Sequence, residues 1–210
     1  MSERSRARDA FGGGESRWPR ALGRLVVLLA LALVLMQALR LAREGDRWRG
    51  LTRGQPAPRL RLPTLSGAVI GLEQWRGRVV LLELWATWCP PCREQFALLD
   101  RLQDELGARG LQALTVEIEG NLEQVRALVR QQDERRRRAG RPASAVVHAL
   151  GNEAAAEAYR VQTIPQLVVI GRQGEVRYLH VGGGGEDELR QQLQRALVTD
   201  AAPKGSGATR

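Results

Sequence analysis

The 210-residue chain changes its hydrophobic pattern twice. From Met1 to Arg20 it is polar and glycine-rich, with arginines at 4, 6, 8, 17 and 20 and too little apolar side chain to bury a core. An uninterrupted apolar run then extends from Leu25 to Met36 and continues through Ala38 and Leu39. Beyond Gly54-Gln55-Pro56-Ala57-Pro58, short apolar runs alternate with amphipathic stretches, the pattern of strands and helices taken in turn.

In that last region Leu60 and Leu62 alternate as a short strand, and Ser66-Gly67 marks a turn before Val69-Ile70-Gly71-Leu72. Residues 79–85 (VVLLELW) are nearly all apolar, as a strand covered on both faces requires. Phe96, Leu98, Leu99, Leu102 and Leu106 recur at helical spacing and predict a helix over about 91–108. A second central strand is expected at 111–118 and a helix over 122–132. The stretch 133–143, including Arg135 to Arg138, reads as a solvated helix end and loop. A short strand at 145–147, a helix at 152–159, paired strands at 167–170 and 176–181, and a closing helix at 186–198 complete the pattern. Strand–helix alternation of this kind predicts an α/β domain with a central sheet between helical layers.

The domain plan that follows has a tail at 1–20, an apolar segment at 21–42, a linker at 43–57, the α/β domain at 58–198 and a polar tail at 199–210. As a helix, residues 21–42 reach about 33 Å, enough for a hydrocarbon layer of roughly 30 Å. Arg24 and Arg40 would snorkel outward, and Trp18 and Trp48 suit the two interfaces. A cleaved signal peptide is the competing reading, but no pair of small residues in A-x-A spacing ends the run. A buried soluble helix would keep a polar face, and this run has none. An uncleaved membrane anchor is therefore expected.

Charge changes the picture less than it first promises. The net +9 suggests an anionic partner, yet residues 1–57 hold 11 arginines against 5 acids, a net +6, whereas 58–198 hold 19 against 17, a net +2. Basicity thus flanks the apolar segment. The run Arg135–Arg138 carries no interleaved aromatic for base stacking, and no nucleic acid is expected. Gly182 to Gly185 precedes a helix, but Glu186, Asp187 and Glu188 at its start would repel phosphate, so a turn is expected.

The chemistry lies in Trp88-Cys89-Pro90-Pro91-Cys92, which contains the only two cysteines. They follow a buried strand and open a helix. Two intervening residues bring the sulfurs together across one turn, so the pair can cycle between dithiol and disulfide. Cys89 faces the unpaired N–H groups and positive end of the helix, which favour the nucleophilic thiolate. Pro91 suits the first helical position, where its missing N–H is not needed. A purely stabilising bridge has a poor rationale, because closing so short a loop removes little unfolded-chain entropy. Zinc would need two further ligands, and His148 and His180 are isolated in sequence; no metal or cofactor is expected.

Two further positions bear on the pair. Glu83 interrupts the apolar strand six residues before Cys89 and shares a face with Val79, Leu81 and Trp85. It is either a buried acid of raised pKa that exchanges a proton with Cys92, or a carboxylate ion-paired to an arginine. Thr163-Ile164-Pro165 precedes the strand at 167–170. Pro165 is either an ordinary loop proline or a cis-proline that leaves the Ile164 backbone open to an extended substrate.

Residues 79–92 (VVLLELWATWCPPC), together with Gly54-Gln55-Pro56-Ala57-Pro58, the stretch 158–165 and Gly171-Arg172-Gln173-Gly174-Glu175-Val176, resemble the thioredoxin superfamily. Within it they are most similar to the membrane-tethered TlpA/ResA/DsbE-like thiol–disulfide oxidoreductases. The resemblance implies a thioredoxin fold with a central mixed sheet. Cys89 would be the nucleophile, Cys92 the resolving thiol and Pro165 a cis-proline beside them, supported by Glu83, Trp88, Pro90, Pro91 and Ile164. It further implies an N-terminal anchor in the bacterial cytoplasmic membrane and a catalytic domain on the periplasmic side. The substrates would be disulfide-bearing proteins, including those of cytochrome c or copper-site maturation, and the electron donor a membrane thiol protein. Three positions depart from the family: Glu83 stands where many relatives carry Asn, Gln95 where an acid is common, and Gln166 where Thr is frequent.

Two rival readings fit the motif less well. A peroxiredoxin places Thr three residues before its cysteine with a proline upstream, whereas Thr87 precedes Cys89 by two. A copper-binding assembly protein on the same fold would use both thiolates and a distal histidine such as His180; its cysteines are usually spaced by three.

Overall fold

A computed structural model describes residues 20–48, 51–119 and 121–199. The expectations for residues 1–19 and 200–210 lie outside the described residues. The chain divides into two compact units between Arg49 and Gly50.

In the first unit, helix α1 spans Arg20–Trp48. Its large apolar side chains from Leu25 to Leu39 are exposed, from 43% at Met36 to 64% at Val34. The segment expected as an anchor therefore lies within one helix. Among the described residues, however, no helix is long and apolar enough to cross a membrane. Those described with their side chains, 23–39, span only about 26 Å at 1.5 Å per residue, short of a roughly 30 Å layer.

The second unit is an α/β domain. A short antiparallel hairpin, β1 (Arg61–Pro63) and β2 (Val69–Gly71), precedes a 3-10 turn at Leu72–Trp75. The main elements follow: β3 (Val79–Trp85), α2 (Pro90–Leu106), β4 (Leu111–Glu117), α3 (Leu122–Arg138) and β5 (Val147–Leu150). After them come α4 (Glu153–Ala158), β6 (Gln166–Ile170), β7 (Val176–Val181) and α5 (Glu186–Thr199). The sheet order is β5-β4-β3-β6-β7, with β3, β4 and β5 parallel and β6 and β7 antiparallel to their neighbours. This is the expected mixed sheet.

Handedness explains the layers. Both β3–α2–β4 and β4–α3–β5 are parallel crossovers stepping in the same direction, and right-handed connections put α2 and α3 on one face. Leu98, Leu99, Leu102 and Leu106 of α2 pack there with Leu189 and Leu193 of α5 against Val79, Leu81, Leu167 and Val169. On the other face Leu60, Leu62, Ala155 and Tyr159 cover Val80, Leu82, Leu84, Val168 and Ile170. β3 is buried at all seven positions because both faces are covered. The segment expected as linker also takes part: Gly54 N–H donates to Val176 O at 2.7 Å and Ala57 N–H to Gly174 O at 2.8 Å.

The structure corrects two expectations on the helical face. The strand expected at 145–147 is β5, Val147–Leu150, in register with 114–117 of β4. The arginine run is helical throughout, because α3 continues to Arg138, and Arg136 is buried rather than solvated. Its guanidinium donates to Pro142 O at 2.9 Å and to both Asp104 carboxylate oxygens at 3.1 and 3.2 Å, with Asp100 at 3.6 Å. Those acids sit on α2, so a tetra-arginine pattern that looks uniform in sequence has one member clamping α3 to its neighbour. On β5, His148 shares a 2.8 Å hydrogen bond with Thr115. Burial, partly opposed by Asp100 and Asp133, lowers its pKa from 6.5 to about 4.

Arg136→Ala would remove the buried cation facing Asp100 and Asp104, leaving Asp100 to Gln132 and Ser144 and Asp104 to Arg141. It is expected to lower unfolding free energy by about 3–5 kcal/mol, read from urea denaturation. His148 is neutral in the fold and charges more readily when unfolded. Its contribution is fully present above pH 6.5 and is lost as pH falls through about 4. Thermal unfolding across that window should steepen in the native chain and flatten in His148→Leu.

Candidate active site

The site is assembled where β3 ends. Four residues past Trp85, Cys89 caps α2 in an extended conformation, its sulfur accepting the Cys92 N–H at 3.3 Å. Pro90 and Pro91 occupy the opening helical positions, where a missing N–H costs nothing. Cys89 and Cys92 form a disulfide, with Cα atoms 5.4 Å apart. The expected pairing of these cysteines at a helix N-terminus is what the structure holds.

The two sulfurs differ in access. Cys92 is fully buried and Cys89 is 3% exposed, packed with Trp85, Phe96 and Val125. Around them Trp88, Pro90 and Pro91 are exposed, Trp88 at 62%. The Trp88 indole N–H donates to Glu119 at 2.7 Å, and Thr87 donates to Gln124 at 2.6 Å, which ties the active-site turn to β4's exit and α3. Sequence reasoning missed Glu119 and Gln124. The available signal was position: both follow the carboxyl end of a parallel strand, where such sheets gather functional side chains.

The Ile164–Pro165 peptide is cis, which resolves the open reading of Pro165. It lies just before the paired register of β6, which begins at Gln166 opposite Leu84, so the same end of the sheet carries the disulfide and the cis-proline. Ile164 packs against the Trp85–Cys89–Cys92 cluster. The glycine run forms the expected turn and also belongs to this neighbourhood. Gly182 N–H donates to Pro165 O at 2.8 Å, and a Cβ on Gly183 would stand 3.6 Å from Pro91. Gln95, at the departing position, is buried with its amide 3.5 Å from Gly182 O, and Gln166 donates to Tyr159 O at 2.9 Å.

Glu83 takes the buried alternative. It has no exposed surface, its neighbours across the sheet are Thr115 and Leu167, and neither carboxyl oxygen meets a hydrogen-bond partner among the described residues. Burial alone holds its pKa well above the usual carboxylate range. His180 lies elsewhere: its ring stacks on Tyr178 and packs against Gly185. Among the described residues no three metal-ligating side chains are gathered.

Three comparisons bear on this geometry. The Redoxin family model matches residues 52–194. The thioredoxin-like protein YneN of Bacillus subtilis is 31% identical over 147 residues, covering 69% of this chain and 80% of its own. The thiol-disulfide oxidoreductase ResA of Geobacillus kaustophilus is 26% identical over 174 residues, covering 81% and 95%. Among solved structures, a thiol:disulfide interchange protein DsbE from Chlorobium tepidum superposes with a TM-score of 0.62 at 28% identity, covering 70% of this chain and 99% of that one. With a redox-capable cysteine pair at the start of α2 and a cis-proline beside it, the chain belongs to the Redoxin family and is a thiol–disulfide oxidoreductase of the thioredoxin superfamily.

Proposed function

We propose that the protein reduces disulfides in other extracytoplasmic proteins, including those of cytochrome c or copper-site maturation, while tethered to the bacterial cytoplasmic membrane by residues 21–42. The observation that carries the redox reading is the Cys89–Cys92 disulfide beside the cis Ile164–Pro165 peptide. The tether is supported by the apolar run itself, by the exposed leucines and valines of α1, and by arginines and tryptophans on both flanks.

In the reduced protein the Cys89 thiolate attacks one sulfur of a substrate disulfide. A Cys89–substrate disulfide forms, the substrate S–S bond breaks, and the departing thiolate takes a proton from solvent. Cys92 then gives its proton to the Glu83 carboxylate and attacks the Cys89 sulfur. The second substrate sulfur leaves as a thiolate and takes a proton from solvent, two electrons have passed to the substrate, and the Cys89–Cys92 bridge remains. A dithiol electron donor in the membrane returns the two electrons by the reverse exchange. Glu83 suits its role because a carboxyl with a raised pKa is a stronger base when ionised.

Cys89→Ala is expected to abolish reduction of a model disulfide protein, whereas Cys92→Ala should accumulate mixed disulfides visible on non-reducing gels. If neither change alters exchange, the redox reading fails. Retention of the full chain in carbonate-washed membranes, with the domain open to protease only from outside, tests the tether.

Glu83→Gln cannot accept the Cys92 proton. It should slow decay of the mixed disulfide on the order of 10²-fold and remove a rise in rate with pH above the carboxylate range. The same change should alter stability in the opposite sense. A raised native pKa means that stability is full below the ordinary 4.5 and is lost as pH climbs through the folded value, so the glutamine variant should be the more stable protein in alkaline buffer.

A further inference from the structure

A second concave site lies at the other end of the sheet. The alternation Arg59-Leu60-Arg61-Leu62 sends both leucines into the core and both arginines outward, since successive side chains in an extended segment take opposite faces. Arg59 and Arg61 line a groove of about 400 Å³, joined by Arg76 from the end of the 3-10 turn. Its floor includes Val80, five residues before Trp85 on β3, so the groove is about 17 Å along the strand from the approach to Cys89. Ile170, at the end of β6 away from Pro165, also contributes.

Arg59, Arg61 and Arg76 line the groove against the carboxylate of Glu73, with Arg172 beside them. Arg172 is committed to structure, donating to the backbone carbonyls of Gly77, Arg109 and Leu197. Arg59, Arg61 and Arg76 form no ion pair with any described residue, in contrast to Arg101, Arg126, Arg136, Arg141 and Arg190. Arg76 is also seated closely. Its guanidinium lies over Gly174, where a Cβ would stand 2.9 Å from Cζ, and Gly174 has a φ of +85° that favours glycine. Like charges gathered over a low-dielectric floor repel one another and focus a positive potential into the cleft, a cost that a bound anion removes. Arg59, Arg61 and Arg76 are exposed, as are Arg135, Arg137 and Arg138 at the end of α3, but the first three converge on one groove.

We infer that this groove binds a phosphate ester. The planar guanidinium groups of Arg59, Arg61 and Arg76 match phosphate oxygens in paired hydrogen bonds, and Trp75 with the apolar floor receives the ester's carbon portion. The volume lies within the range of small-molecule sites. A lipid headgroup and a soluble phosphate ester offer the same chemistry. Neither source depends on the redox reading, because the groove contains neither cysteine nor Glu83.

Arginine footprinting with phenylglyoxal, read by mass spectrometry on the full chain in phosphatidylcholine nanodiscs, tests this. Glycerol 3-phosphate is added in one arm, and phosphatidylglycerol replaces part of the lipid in the other. At a soluble-probe concentration ten times its Kd, modification of Arg59, Arg61 and Arg76 should slow about tenfold, with Arg135 and Arg138 unchanged. Protection in both arms assigns a soluble or lipid ester, and protection only with phosphatidylglycerol assigns a headgroup. Arg59→Gln/Arg61→Gln/Arg76→Gln should abolish saturable binding of the same probe by calorimetry. No protection in either arm, equal protection of Arg135 and Arg138, or unchanged binding by the triple variant would overturn the inference.

Discussion

The constraint that organises the domain is the burial of β3 on both faces. The strand's carboxyl end leads through a turn at residues 86–88 into α2, with Cys89 as the cap. The same strand carries Glu83 into the core and sets the floor of the arginine groove at Val80. Its partner β6 runs antiparallel, which brings Pro165 back to the end where the cysteines stand. Sulfur, acid, cis peptide and groove all take their positions from one buried ladder.

The inner face combines an apolar core with a few isolated polar groups, and their fates differ for physical reasons. Arg136 meets Asp104, Asp100 and a backbone carbonyl, so its charge is retained in the interior. His148 meets Thr115 and stays neutral. Glu83 meets no such partner and is driven toward its protonated form. Only the last combination leaves an ionisable group with no structural bond to break, the kind of perturbed carboxyl that functional sites gather.

Much of this was legible from periodicity. Seven consecutive buried positions in 79–85, the leucine spacing of α2 and the turn at Arg172-Gln173-Gly174 all correspond to observed elements. The cysteines and Pro165 were found through residue type and local context, because a Cys-x-x-Cys pair at a strand–helix junction has few other uses. The burial of Arg136 is not legible because it depends on Asp100 and Asp104, more than thirty residues away, which a run of four identical residues cannot signal. Glu119 and the convergence of Arg59, Arg61 and Arg76 were hidden for the same reason: each is a relation between elements, and hydrophobic pattern records only which face of its own element a residue occupies.

The disulfide's setting has a kinetic consequence. Cys89 keeps only 3% of its surface in contact with solvent, while Trp88, Pro90 and Pro91 stand out around it. A small thiol approaching such a sulfur must find a narrow line of attack and gains nothing from the surrounding surface. A folded or extended protein can first settle on the indole and the proline rings and arrive with its sulfur already aligned, so orientation is supplied by contact rather than by chance collision. The exposed indole and proline rings around a nearly buried sulfur therefore favour partners large enough to cover them, through added contact rather than through easier access.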